Sequence, residues 1–120
     1  MNRADLLEDI QSRGRDILKF IGNHIHRVCL YLNGETTSKN LQASCELRQP
    51  EISTAIKQLT DLSLVKTRRS GSEGRGRPSH IYNLCMPINS CVEVLLADVE
   101  QRIQAMKDGV VKVERLTRGL

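Results

Sequence analysis

From residue 88 to residue 117 the apolar side chains Val92, Leu96, Val99, Ile103, Met106, Val110 and Val113 recur at alternating spacings of four and three. This is a heptad pattern held for about three repeats, and it marks a helix whose narrow apolar seam lies against another helix. At 1.5 Å per residue such a helix runs roughly 45 Å. A chain of 120 residues cannot bury a seam of that length inside one small core. The seam needs a partner helix. The same helix in a second copy is the expected one, so these seven residues form the expected dimer interface, with residues 3–21 alongside. Packing on residues 3–21 of the same chain is the alternative.

The chain ahead of this helix alternates between two periodicities. Residues 3–21 place Leu7, Ile10, Ile17, Leu18 and Ile21 at helical spacing, and Gly14 stands where the stripe would continue. Gly14 is either a weak point or a site of close helix approach. Gly22-Asn23 is the expected break. Residues 24–32, HIHRVCLYL, resume a helical face through Ile25, Val28, Cys29 and Leu32, and Asn33-Gly34 is a strong stop. After a short Glu35-Thr36 link, Thr37 or Ser38 can cap a helix with Leu41 and Cys45 on its buried face. Gln49-Pro50-Glu51 opens the next helix, where a proline in the first turn removes no needed donor. Its apolar stripe is Ile52, Ile56, Leu59 and Leu62, opposite Glu51, Ser53, Thr54, Lys57, Gln58 and Asp61. Two short helices across a tight turn, the second with a hydrogen-bonding outer face, read as a helix-turn-helix.

A period of two follows. Residues 64–69 (LVKTRR) and 79–84 (SHIYNL) alternate like strands, joined by a connector, residues 70–78, that holds three glycines. Strand, loop and strand make a β-hairpin. Within the connector, Arg75-Gly76-Arg77-Pro78 resembles the core of an AT-hook. Met86-Pro87 ends the hairpin. The chain holds no Trp, one Phe and two Tyr, so its core must be aliphatic, which suits packed helices. The expected fold is mainly α with a small β-hairpin, in one domain over 1–120. That domain divides into an N-terminal helix (3–22), a winged helix-turn-helix core (24–85) and a C-terminal dimerisation helix (88–117).

The net charge of +4 is localised. Residues 1–36 carry five Lys/Arg against five Asp/Glu, residues 83–120 again five against five, and residues 37–82 eight against four. A basic stripe between two neutral flanks is the electrostatic footprint of a polyanion site. No run of about 18 apolar residues is present to span a membrane, and the N-terminus lacks the apolar stretch of a secretory signal. The expectation is a soluble, cytoplasmic protein with no membrane partner. Cys29, Cys45, Cys85 and Cys91 form no CxxC pair and have no His at zinc-site spacing. Cys29 and Cys45 read as small apolar residues. Cys85 and Cys91, at the junction of hairpin and long helix, are candidates for thiol sensing, with burial as the plainer alternative. The three His and the scattered carboxylates form no catalytic pair, metal set or nucleophile arrangement. Neither an enzyme nor a cofactor is expected.

Taken together, helix, helix-turn-helix, two-stranded wing and long C-terminal helix resemble the winged-helix transcriptional regulators of the MarR, ArsR and TrmB type, in particular small single-domain archaeal or bacterial members. Residues 24–85 carry the likeness. QPEISTAIKQLTDLSLVKTR is similar to a recognition helix running into the first wing strand, and GRGRPSHIYNL to a wing tip and return strand. Two positions depart from the family: Glu46 stands in the turn where Gly is common, and Ser63 where Gly commonly ends the recognition helix. Both positions commonly require a left-handed backbone.

The resemblance implies binding of double-stranded DNA by a homodimer. Gln49, Glu51, Ser53, Thr54, Lys57 and Gln58 would then face the major groove, where Gln suits adenine and Lys guanine. Ser38, Lys39 and Asn40 would meet phosphates, and Arg68, Arg69, Arg75, Arg77 and His80 would act from the wing. Paired recognition helices would sit about 34 Å apart on a palindromic site. A winged helix acting purely as a protein–protein adapter is the alternative function. An effector is not specified by the sequence.

Overall fold

The computed structural model describes residues 2–69 and 80–119. It begins with Asn2, whose side chain accepts from the Asp5 N–H at 2.9 Å while the Asp5 carboxylate accepts from the Asn2 N–H. This reciprocal cap starts helix α1, Arg3–Phe20. No break follows at Gly22-Asn23, contrary to the sequence reading. Phe20, Ile21, Ile25 and His26 all hold right-handed helical angles, and the chain passes through one wide π turn, Ile21–Ile25, straight into α2, His26–Tyr31. The reason is one of magnitude. A glycine in a helix costs about 1 kcal/mol relative to alanine, whereas burying one large aliphatic side chain contributes about 1.5–3 kcal/mol. Ile21 and Ile25, flanking the glycine, are both buried.

Strand β1, Thr36–Thr37, overlaps the expected Glu35-Thr36 link and the expected cap at Thr37; at two residues it is too short to show a period. Thr37 also caps α3, Ser38–Cys45, accepting from the Asn40 N–H at 3.2 Å. Helix α4, Gln49–Asp61, carries Pro50 in its first turn. Strands β2, Val65–Arg69, and β3, His80–Leu84, pair antiparallel, and β1 adds to the other edge of β3, giving the order β1-β3-β2. Among the described residues the left-handed non-glycine positions are Glu46 (φ 56°) and Ser63 (φ 60°), at the two positions where the sequence departs from glycine. Beside Glu46, the Arg27 guanidinium donates to the Cys45 carbonyl at 3.3 Å. After Ser63, the Leu64 N–H donates to the Leu59 carbonyl at 2.8 Å.

Helix α5, Ile88–Arg118, closes the fold. It lies antiparallel to α1: Arg3 pairs with Glu114 at 3.2 Å, and Gly14 meets Ile103. The single core joins Ile21, Ile25, Val28, Cys29 and Leu32 to Leu41, Cys45, Ile52, Ala55 and Leu59, and to Leu64, Val65, Leu84, Cys91, Leu95 and Val99. The seam of α5 is therefore divided, which corrects the expectation of one face open to a partner. Val99 is buried in the core and Ile103 packs against it, while Leu96 and Val113 remain 42% and 62% exposed. Cys91 and Leu95, outside the heptad set, complete the inward face. No helix among the described residues is long and apolar enough to cross a membrane.

A methyl group built on Gly14 would lie 2.7 Å from the terminal carbon of Ile103. That carbon can swing aside for alanine, but a large side chain would force α1 and α5 apart, at about 1–3 kcal/mol for overpacking. Gly14→Leu is expected to lower the melting temperature by several degrees, and Gly14→Ala to change it far less. Thermal unfolding followed by circular dichroism checks both.

Candidate nucleic-acid interface

Helix α4 buries Ile52, Ala55 and Leu59. At about 100° per residue, this inward stripe turns Ser53, Thr54 and Lys57 to solvent, and all three are exposed. Glu51 and Gln58 lie on one shoulder and are half-buried. On the opposite side an open groove of about 640 Å³ is lined by Ser38, Lys39, Gln49, Ser53, Lys57 and His80, together with Thr37, Gln42, Ile52, Ile56 and Tyr82. Six sequence-predicted residues thus meet around one concavity.

Hydrogen bonds organise the floor of this groove. The Gln49 Oε1 accepts from the Ser38 hydroxyl at 3.0 Å and from the Gln42 amide, both on α3. The Gln49 Nε2 donates to the Ser53 hydroxyl at 3.0 Å. Gln42 was not singled out in the sequence. Its signal was its place four residues after Ser38, on the same face of α3. Lys57 pairs with Asp61 at 3.0 Å, but both side chains are largely exposed, and pairs of that kind contribute little and exchange readily for another anion.

The sheet sorts the wing residues into two faces. Register places Thr67 opposite Tyr82 and Arg69 opposite His80, on the same pleat face as the buried pair Val65 and Leu84. Tyr82 and His80 line the groove, and their rings lie 6.3 Å apart. Lys66 and Arg68 take the other face. There Arg68 donates to both oxygens of Glu35, at 3.1 and 2.6 Å, and these bonds hold the Glu35 carboxyl below its usual range. Arg68 is thus turned away from the groove and matched by a carboxylate, a correction to its grouping with Arg69 and His80. Arg75 and Arg77 lie outside the described residues.

Glu51 is likewise redirected. Its carboxylate accepts from Arg48 at 3.0 Å and approaches the His24 ring at 3.6 Å. The Arg48 hydrogen bond holds it below the usual carboxylate range. His24 stacks edge-on against Phe20 at 4.8 Å, and its Nδ1 is buried without a partner among the described residues. Glu51 therefore ties α4 to the π turn, where the sequence reading had it facing outward. Thr54 and Gln58 border a separate hollow with Asp16, Ile17 and Phe20 of α1. Asn40 and Lys39 stand exposed in the first turn of α3.

The candidate thiol pair is split by burial. Cys91 is fully buried and its thiol points at the Met86 carbonyl, whereas Cys85 is exposed. Burial, with Cys85 nearby, pushes the Cys91 thiol up, and burial pushes Cys29 up to about 12. Both stay protonated at neutral pH and are poor nucleophiles. Among the described residues no cluster of three His, Cys, Asp or Glu could hold a metal ion.

No family model matches the chain, and no curated protein matches it in sequence. Solved structures do share its architecture. A PadR-family transcriptional regulator from Eggerthella lenta superposes over 88% of this chain and 93% of its own with a TM-score of 0.51 at 19% identity. NadR, solved with 4-hydroxyphenylacetate, does so over 93% and 80% with a TM-score of 0.50 at 17% identity. A mutant MarR from E. coli matches over 99% and 96%, with a TM-score of 0.50 at 12% identity. At these identities the likeness is one of fold: the chain has the winged helix-turn-helix fold of MarR- and PadR-type regulators.

In the native protein one thiol per chain, Cys85, is expected to react promptly with an aromatic disulfide reagent. Cys29, Cys45 and Cys91 should react only on unfolding, and Cys85→Ser should abolish the fast phase. Absorbance of the released thiolate checks the count.

Proposed function

We propose that this chain is a regulator of transcription that binds double-stranded DNA sequence-specifically as a homodimer. In this reading α4 enters the major groove and the wing lies on phosphates or in the adjoining minor groove. One observation carries it: the groove between α3, α4 and the sheet is lined by Lys39, Lys57, His80, hydroxyls and amides, and by no acidic residue among those described. Such a surface meets a polyanion without a charge penalty, and its donors and acceptors suit base edges. Ser53, Thr54 and Lys57 are the base-facing candidates. Ser38, Lys39 and Asn40 suit phosphates, and Arg69 and His80 extend the surface along the wing. The regulators that share the fold support the same reading, as does the localised basic charge. Its site of action is the cytoplasm, on genomic DNA.

Dimerisation rests on a second observation. Leu6 and Leu18 of α1, and Leu96, Val111, Val113 and Leu116 of α5, are exposed, on two helices that lie side by side. They do not all share one face, but Leu6 and Val113 border one apolar hollow with Met106 and Val110, and a surface of this kind marks an interaction that a second copy of the same helix pair covers. The protein is expected to sediment as a dimer, and Leu96→Glu with Val113→Glu to yield a folded monomer. A monomeric wild type at micromolar concentration would sink this element.

DNA affinity measured against salt tests the reading. The log–log slope should approach about 0.9 per neutralised phosphate. Lys39→Ala should lower affinity for all sequences alike and reduce the slope by about one unit. Replacing Arg75 and Arg77 together by Ala should weaken binding while leaving the melting temperature unchanged. Absence of binding at low salt, with the protein folded, would favour the adapter alternative.

A further inference from the structure

The outward side of α4 carries hydroxyls on Ser53, Thr54 and Thr60, and the structure gives them opposite polarities. Thr54 donates to the Pro50 carbonyl at 2.9 Å, and Thr60 to the Ile56 carbonyl at 2.7 Å. Their protons are engaged with their own helix, so only lone pairs face outward. Ser53 differs. Its oxygen accepts from the Gln49 Nε2 at 3.0 Å, and among the described residues its proton has no acceptor. In this arrangement the Gln49 Oε1 accepts from the Ser38 hydroxyl and the Gln42 Nε2 across from α3, which leaves its Nε2 facing Ser53. Gln49 is the centre of a relay that leaves the Ser53 O–H as a donor at the groove between α4, α3 and the sheet.

We infer that Gln49 is a positioning residue that sets base preference by making Ser53 a hydrogen-bond donor. Resting on the DNA-binding reading above, it assigns the chemistry of one contact within it. A donor at this place favours a base edge with an acceptor: guanine N7 or O6, thymine O4, or adenine N7. Cytosine, whose major-groove edge presents only the N4 amino donor, can be met only through the one Ser53 lone pair that Gln49 leaves free, and is the less favoured base. Gln49, expected from the sequence to touch bases itself, acts through its neighbour, because its Oε1 already accepts twice and its Nε2 is held against Ser53.

Selection of bound duplexes from a random pool, run with wild type, Ser53→Ala and Gln49→Glu, tests this. A carboxylate at position 49 has no hydrogen to give, so Ser53 can bond to it only by donating, which turns its lone pairs outward. Wild type should disfavour cytosine at one position of each half-site by roughly two- to tenfold, the range of one net neutral hydrogen bond. Ser53→Ala should lose that preference at that position alone, and Gln49→Glu should reverse it towards cytosine. The added charge lowers affinity for every sequence alike, so the readout is the ranking of bases. Unaltered melting temperatures establish that both exposed-site variants are folded. A Gln49→Glu protein with the wild-type ranking, or a Ser53→Ala protein that keeps the preference, would overturn the inference while leaving the regulator reading intact. A wild type that selects no duplex overturns both.

Discussion

Ile52, Ala55 and Leu59 sit at 1% exposure or less along one side of α4, in one core with Leu41 and Cys45 of α3 and Ile21 and Ile25 of the π turn. Rolling the helix by one residue, about 100°, would lift two of the three into water and bring Ser53 or Lys57 into an aliphatic interior, where an unpaired charge is not tolerated. The roll of α4 is therefore settled by burial. Everything presented on its outer side, hydroxyls and lysine included, inherits its direction from three apolar side chains that touch no partner.

The position of α4 along its own axis depends on the turn before it and the turn after it. Each contains a left-handed residue other than glycine, Glu46 and Ser63, at a cost of roughly 1–2 kcal/mol apiece. Packing across these turns offsets that cost. Leu47 packs against the core just after the first, and Leu64, beyond the second, is fully buried. The Leu64 carbonyl also accepts from the Cys85 N–H at 2.9 Å, and the Leu32 carbonyl from the Leu84 N–H at 3.0 Å, which clamps the sheet to the helical layer. Both walls of the groove are thereby tied to one core.

The same competition explains the two long helices. A heptad seam reads as an appeal for a second chain, yet α1 already answers half of it, with Gly14 letting Ile103 approach closely. What is left exposed are apolar side chains on both helices, Leu6 and Leu18 of α1 and Leu96, Val111, Val113 and Leu116 of α5. The proposed dimer would join two helix pairs, and the recognition helices would be spaced by that joint packing.

Helix, strand and turn were largely legible in the sequence, because periods of 3.6 and 2, Thr37 as a cap, Pro50 in a first turn and Asn33-Gly34 as a stop are local signals. The basic segment was equally plain, since charge is counted without coordinates. Local signals failed at Gly22-Asn23, where burial of Ile21 and Ile25 outweighs a weak helix propensity, and at β1, where two residues show no period. Side-chain direction was beyond the sequence altogether. Glu51 turns to Arg48 and His24, Arg68 to Glu35, and Gln49 to Ser38, Gln42 and Ser53. Most of these partners come from other elements, up to 33 residues away. The chain's periodicity by itself determined most of the helical segments and, α5 apart, the apolar face of each. Only the tertiary structure decided which polar groups on the remaining faces are used internally and which are left for a partner, because a hydrogen bond depends on where its other half lies.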